Sequence, residues 1–165
     1  MSRRLSGQIT PALVGVVAVL VCSASAAAHA TLARCHTAAL SGHLGFIQGA
    51  AGSRFGPVVL TNRSHSVCTL EGYIGGQLYS AAGGRLPTRI VRDRSRPVTL
   101  VTLRPGQRAF ADLHWSAIRT GPTLACPQAR SFAVTPPDER TQLRLQWTAG
   151  PVCRGGRIDV RPIRK

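Results

Sequence analysis

Two clusters of arginine are the residues whose type and spacing point most directly to chemistry. The first cluster is opposed only by Asp93 and contains Arg85, Arg89, Arg92, Arg94 and Arg96. The second cluster lies at the C-terminal end, is opposed only by Asp159, and contains Arg154, Arg157, Arg161, Arg164 and Lys165. A guanidinium presents a planar fork of donors that matches carboxylate and phosphate groups. Both clusters are therefore candidate sites for anionic polymers or lipid headgroups.

The charge of the whole chain has a second explanation. It carries 21 Lys and Arg against 6 Asp and Glu, and only one of the 21 is lysine. Codon bias in a G+C-rich genome produces such an excess of arginine without any function, so a solvated surface is the alternative. Nucleic acid would also satisfy these charges, but aromatic residues make up only 5% of the chain, which leaves few stacking platforms. Nucleic acid is not the partner we expect.

Catalytic and metal-binding patterns find little support. The histidines after the N-terminal segment are widely spaced and accompany no cluster of carboxylates: His36, His43, His65 and His114. No Gly-x-Ser-x-Gly elbow occurs, and the stretch 49–56 lacks the Gly-Lys-Ser/Thr ending of a phosphate loop, so we expect a flexible loop there. Asp138 and Glu139 follow two prolines and are expected in a solvated loop rather than as a glycosidase pair. We assign no catalytic residue, metal ligand or cofactor.

The first thirty residues have the pattern of a secretory signal. Arg3 and Arg4 give a positive start, residues 12–21 are apolar, and Ala28-His29-Ala30 offers a cleavage site. Cleavage after Ala30 would leave a mature domain, residues 31–165, with 19 basic and 6 acidic residues. The alternatives are a retained anchor or a lipid on Cys22, although the apolar run is shorter than the ~20 residues that span a bilayer. No later segment is apolar enough to cross a membrane, so we expect a secreted or envelope-associated protein.

Four cysteines remain after the signal, and an even number in an exported chain predicts two disulfides. A zinc site would need a close pair such as Cys-x-x-Cys, which is not present. Four cysteines allow three connectivities, and adjacency along the chain favours Cys35 with Cys68 and Cys126 with Cys153. Each bond would stabilise the domain by roughly 3 to 4 kcal/mol.

Alternation of polar and apolar residues predicts strands in 107–115, 142–147 and 157–161. In the first of these, Asp112 and His114 lie on the face opposite to Trp115. Shorter strands are expected at 40–47, 58–61, 67–70, 77–80, 86–91, 98–103 and 131–134. About seven to ten short strands without a long helix predict an all-β antiparallel sandwich. Trp115 and Trp147 are its expected core anchors, and the other aromatic residues are expected in the core or covering an edge: Phe46, Phe55, Tyr73, Tyr79, Phe110 and Phe132.

A set of ordered motifs resembles a known family. It comprises Cys35-His36-Thr37, Val59–Asn62 continuing through Cys68–Tyr73, Leu103-x-Pro-Gly-x-x-Ala109, Trp115, and Cys126 with Pro136-Pro137. Together they resemble an actinobacterial secreted family known as domain of unknown function 4232, over about residues 35–163. One departure is Ile74, where the family tends to have proline. The resemblance implies an Ig-like β-sandwich with two disulfides and transfers no catalytic residue.

These observations lead to an expected function. We expect a non-enzymatic secreted binding or structural module of the cell envelope, with anionic polymers, lipid headgroups or another envelope protein as partner. The alternative is a binding or regulatory domain for an anionic small molecule or a partner enzyme, and a hydrolase comes third. A binding module should present one flat basic face, whereas an enzyme should present a cleft with convergent titratable groups.

Overall fold

The computed structural model describes residues 32–119 and 126–165. The predicted signal at residues 1–30 lies outside this part of the chain and stays a prediction. The described residues contain a 3₁₀ helix at Thr37–Ala39, a single helical turn at Cys153–Gly156, and these strands: β1 Leu40–Leu44, β2 Gln48–Ala50, β3 Ser53–Asn62, β4 Cys68–Leu70, β5 Gly75–Tyr79, β6 Arg89–Arg92, β7 Val101–Leu103, β8 Arg108–Ser116, β9 Ser131–Thr135, β10 Leu143–Gln146 and β11 Arg157–Val160. None of the helices in these ranges is long and apolar enough to span a membrane.

The larger sheet has the strand order β1-β3-β8-β11-β6, and β2 pairs with the start of β3. Its centre is the long antiparallel ladder between β3 and β8, which runs from Ser53 opposite Ser116 to Thr61 opposite Arg108. Strand β11 pairs antiparallel with β8 on one side and parallel with β6 on the other. The last strand of the chain is therefore an interior strand of this sheet.

Two smaller sheets, β10-β9-β5 and β4-β7, supply the facing layer. The core lies between the layers, and the inward residues of β8 are 2% exposed or less: Ala109, Ala111, Leu113 and Trp115. The rings of Trp115 and Trp147 meet at 5.0 Å, and Phe132 packs edge-on against Trp147 at 5.5 Å. The predicted all-β antiparallel sandwich is confirmed, and both tryptophans lie in its core as predicted.

Three features differ from the predicted pattern. The strands in the described residues number eleven rather than about seven to ten, and the β6–β11 pair is parallel. The stretch 49–56 is a hairpin of β2 and β3 rather than a flexible loop. Its two turn residues, Ala51 and Gly52, both have positive φ, at 46° and 81°. Positive φ at both central positions gives a turn whose twist matches that of the flanking strands, and this closes the hairpin.

Both predicted disulfides are present, and the predicted pairing is confirmed. Cys35 bonds to Cys68 with 4.9 Å between their Cα atoms, and Cys126 bonds to Cys153 with 4.1 Å. The first bond is reinforced by the backbone, since the Cys35 N–H donates to the Thr69 carbonyl at 2.8 Å. It fixes the start of the described chain to β4. The two bonds indicate folding in an oxidising environment.

Glu139 fastens the start of the sandwich to the loop between β9 and β10. Its Oε2 accepts hydrogen bonds from the Thr37 N–H at 3.0 Å and the Thr37 hydroxyl at 2.9 Å, and its Oε1 lies 3.0 Å from His36 Nδ1. The side chain is only 8% exposed, so the predicted solvated loop is wrong at this residue. The Thr37 N–H, then its hydroxyl and His36, lower the pKa of Glu139 from 4.5 to about 2.

This contact predicts a specific dependence of stability on pH. A carboxyl whose pKa falls on folding stabilises the folded chain above its unfolded pKa, and this stabilisation disappears as the pH falls towards the folded value. Glu139→Gln is therefore expected to lower the urea midpoint at pH 5 to 7 and to flatten its decline between about pH 5 and pH 2. Urea titrations at several pH values measure both effects.

The neighbouring Asp138→Asn is the matched control for this prediction. Asp138 is exposed, has no ion pair among the described residues, and has a φ of 57°, which asparagine tolerates. This variant should retain the pH dependence of the unsubstituted chain. Superimposable curves for Glu139→Gln and the unsubstituted chain would contradict the role given to Glu139.

Candidate functional site

The parallel pairing of β6 with β11 brings the two arginine clusters together. Arg89 lies opposite Arg157, and Arg92 lies opposite Val160. Residues opposite each other in a ladder project to the same face of the sheet, so Arg89 and Arg157 share the outer face, which points away from the core. Arg92 projects at the edge of the inner face, where its guanidinium lies 5.4 Å from the ring centre of Tyr73.

The first cluster is exposed along β6 and the segments that flank it. All five of its arginines are exposed, and within the described residues none of them forms an ion pair: Arg85, Arg89, Arg92, Arg94 and Arg96. Arg85 donates a hydrogen bond to the side-chain oxygen of Gln77 at 2.9 Å. Arg154, from the second cluster, is also exposed and has no carboxylate partner among the described residues. These side chains form one uncompensated positive surface of the sandwich.

The remaining arginines of the second cluster are held by carboxylates. The ion pairs are Arg157 with Asp159 at 2.7 Å, Arg161 with Asp93 at 3.0 Å, and Arg164 with Asp112 through two bonds of 2.8 and 2.9 Å. The Arg164 guanidinium also lies 5.0 Å from the ring centre of Phe110. Three of the predicted anion-binding arginines therefore already have an anionic partner within the protein.

The hydrogen bonds in this cluster hold its carboxyls ionised. The Ser95 backbone N–H donates to Asp93 at 2.9 Å, and this bond, with the Ser95 hydroxyl and Arg161, lowers the pKa of Asp93 to about 2. The two bonds from Arg164 lower the pKa of Asp112, and Asp112 in turn raises the pKa of Arg164. Neither of these two aspartates carries a proton at neutral pH.

A groove crosses the outer face of the larger sheet. It consists of two adjoining concavities with volumes of about 350 and 450 Å³, which share His114 and Asp159. The first also contains Phe46, Phe55, Asp93, Asp112, Arg161 and Arg164, and the second contains Ser53, Ile118, Arg154 and Arg157. The groove is thus a cleft in which titratable groups converge, the feature that we expected of an enzyme rather than of a binding module.

Two phenylalanines form an aromatic wall of this groove. Phe46 is 81% exposed and Phe55 is 42% exposed, so neither ring lies in the core, which was one of the two places predicted for them. Phe55 lies opposite His114 in the β3–β8 ladder, and the two rings stack at 4.6 Å with an angle of 18° between their planes. The backbone of the Phe46-Ile47 segment can pack against β3 because Gly56 has no side chain; a Cβ there would clash with the Ile47 side chain and come within 2.9 Å of the Phe46 carbonyl oxygen.

His114 is the centre of the groove. Its Nδ1 lies 3.5 Å from Asp159 Oδ2, while Arg157 holds the other oxygen of the same carboxylate. The sequence placed Asp112 and His114 together on the outer face of β8 but missed Phe55 and Asp159. The missing information is the register of β3 and β11 against β8, because alternation within one strand does not reveal what lies across the ladder.

The other histidines of the described residues are dispersed, as their wide spacing in the sequence predicts. His36 contacts Glu139, whereas His43 and His65 are exposed on β1 and on the segment before β4. In the part of the chain that the structure describes, no three His, Cys, Asp or Glu side chains are placed to hold a metal ion. The arrangement around His114 offers fixed hydrogen-bond donors and acceptors beside aromatic rings.

Comparison with known proteins gives one match. The model of the family described as Domain of unknown function (DUF4232) matches residues 35–164. This range agrees with the resemblance drawn from the sequence motifs. No curated protein and no solved structure matches the chain.

Proposed function

The chain belongs to the family described as Domain of unknown function (DUF4232), and from this premise we propose that it is a secreted, non-enzymatic binding module of the cell envelope that contacts anionic polymers. The observation that carries the proposal is the uncompensated positive surface on and around β6. Four of the six acidic residues form ion pairs with residues outside the first cluster, so little negative charge remains to neutralise the arginines of that cluster.

The arginines and the carboxyl groups near them are better suited to binding than to acid catalysis. Acid catalysis by a carboxyl needs a raised pKa, so that the group holds a proton near neutral pH. Asp93 and Asp112 have lowered pKa values, because arginines and N–H donors stabilise their ionised forms. A guanidinium that lacks an internal partner, by contrast, presents its whole donor fork to an external anion.

The proposed location outside the cell rests on the N-terminal segment and on the disulfides. The N-terminal pattern of residues 1–30 predicts secretion, and two disulfides suit an extracellular compartment. Anionic polymers and lipid headgroups of the envelope are the abundant anions in such a compartment. Both offer phosphate or carboxylate groups, so the test must distinguish these two sources.

The test replaces four arginines of the first cluster by glutamine: Arg89, Arg92, Arg94 and Arg96. We expect the affinity for a wall fraction rich in anionic polymer to fall about tenfold or more, since each basic side chain near an anionic surface contributes about 1 kcal/mol. Binding of the unsubstituted chain should weaken strongly as salt rises to about 0.15 M, because exposed charges are then screened. The thermal midpoint should change by only a few degrees, because the four side chains are exposed.

A control variant removes the same amount of charge elsewhere. Arg63, Arg104, Arg130 and Arg140 are exposed and, among the described residues, form no ion pair. Their replacement by glutamine should reduce binding much less. Vesicles with anionic headgroups and vesicles with neutral headgroups separate a lipid partner from a wall polymer. Equal loss of affinity in the two variants, or equal retention on neutral and anionic material, would refute the proposal.

A further inference from the structure

Most of the charges inside the groove cancel, and Arg154 at one end is the one lining arginine without a carboxylate partner among the described residues. The groove's three aspartates are each matched by an arginine that also lines it, in the pairs Asp93–Arg161, Asp112–Arg164 and Asp159–Arg157. The groove is therefore nearly neutral on a strongly basic protein, and away from Arg154 an anion would have to compete there with an internal carboxylate. Neutral ligands do not face this competition.

The paired charges still offer many hydrogen bonds. A guanidinium has five N–H donors, and Arg161 uses only its Nε on Asp93. A carboxylate has about four acceptor positions, and Asp159 accepts hydrogen bonds from Arg157 on Oδ1 alone. Donors and acceptors thus both line the groove, held in place by the ion pairs themselves. A hydroxyl group donates one hydrogen bond and can accept two. A ligand rich in hydroxyl groups can therefore pair with the arginine donors and the aspartate acceptors at the same time.

The aromatic wall adds an apolar surface next to these polar groups. Phe46 is almost fully exposed, and the stacked pair of Phe55 and His114 presents a further flat surface beside it. One face of a sugar ring carries mainly C–H groups and packs on aromatic rings, while its hydroxyl groups point outward to polar side chains. A stable protein interface buries about 800 Å² on each partner. Two phenylalanine side chains expose too little apolar area for such an interface, so a small ligand fits them better than a protein does.

We propose that the groove around His114 binds a segment of neutral carbohydrate chain, with sugar rings on Phe46 and Phe55 and their hydroxyl groups on the aspartate–arginine pairs. The two adjoining concavities provide room for more than one ring along the groove. None of the arginines of the first cluster lines this groove, and the proposal goes beyond the proposed function. A neutral chain would be held by packing and hydrogen bonds, whereas the first cluster would hold anions.

The experiment titrates the full chain with hexamers of glucose, mannose and N-acetylglucosamine. We expect at least one hexamer to bind, as measured by calorimetry and by shifts of the aromatic NMR signals. Phe46→Ala/Phe55→Ala is expected to weaken this binding about tenfold or more. The single variant Phe46→Ala should weaken it with an unchanged thermal midpoint, because that side chain makes little contact with the protein. Binding should not depend on salt, since the hexamers carry no charge.

Leu100→Ala is the matched control, because Leu100 is 62% exposed but does not line the groove. This control and the four-glutamine variant of the first cluster should both bind the hexamer normally, which separates this proposal from the proposed function. Failure of all three hexamers to bind would overturn the carbohydrate site, as would unaltered binding by Phe46→Ala/Phe55→Ala. A dimer that these two substitutions dissociate would also overturn it, because a second copy of the chain would then cover the groove.

Discussion

A chain that ends at Gly156 is expected not to form the sandwich. The deleted segment, residues 157–165, contains all of β11, which lies between β8 and β6 in the larger sheet. Ile158, Val160 and Ile163 are each 1% exposed or less. Burial of one such side chain stabilises a fold by roughly 1.5 to 3 kcal/mol, so their combined loss approaches the total stability of about 5 to 15 kcal/mol for a typical domain.

Circular dichroism and a urea titration of the truncated chain measure this effect. The control is Arg157→Gln/Arg161→Gln/Arg164→Gln, which removes charge from the same segment but leaves β11 and its buried residues intact. This variant should fold with a much smaller loss of stability, because all three arginines are partly exposed and their ion pairs are solvated. Cooperative unfolding of the truncated chain at the midpoint of the full chain would contradict the structural role of β11.

Removal of either disulfide is expected to cost about 3.5 kcal/mol of unfolding free energy. The bonded cysteines are separated by 33 residues in one case and 27 in the other. Loops of this length give about that value when the bond acts by restricting the unfolded chain. Cys35→Ala/Cys68→Ala and Cys126→Ala/Cys153→Ala should each fold with a lowered urea midpoint. The variant that lacks all four cysteines should lose about 7 kcal/mol and be largely unfolded at 37 °C.

Addition of a reducing agent is the control for these variants. It should lower the urea midpoint of the unsubstituted chain, whereas the variant that lacks the four bonded cysteines should not respond to it. Peptide mapping under non-reducing conditions reads the linkage of the purified protein directly. A midpoint that stays constant after removal of either bond would show that the bond does not constrain the unfolded chain.

The distribution of acidic residues links the two proposals. The chain has only six, and three of them, Asp93, Asp112 and Asp159, lie in one groove. This concentration pairs three of the four arginines that line the groove and leaves the first cluster of arginines uncompensated. The same shortage of acidic residues thus supports a charged binding surface and a nearly neutral binding groove.

The sequence by itself determined the properties that depend on one strand or on one pair of residue types. Alternation assigned the inner and outer faces of β8, because successive side chains of a strand point to opposite sides. The order of the cysteines favoured the correct disulfides, because neighbouring cysteines close the shorter loops. The absence of long helical patterns and the regular spacing of short strands gave the all-β class.

Only the tertiary structure decided which strands are neighbours and in what register. The backbone N–H and C=O groups that form the hydrogen bonds between strands are nearly the same for every residue. The sequence of β6 alone therefore does not indicate that β11 is its partner. That pairing joins two arginine clusters that lie about sixty residues apart in the chain. The register of β3 against β8 likewise places Phe55 on His114. The burial of Glu139 depends on its contact with Thr37, which lies 102 residues earlier in the chain. Contacts between distant segments are fixed by the packing of the whole core, and for this reason the groove was absent from every local pattern.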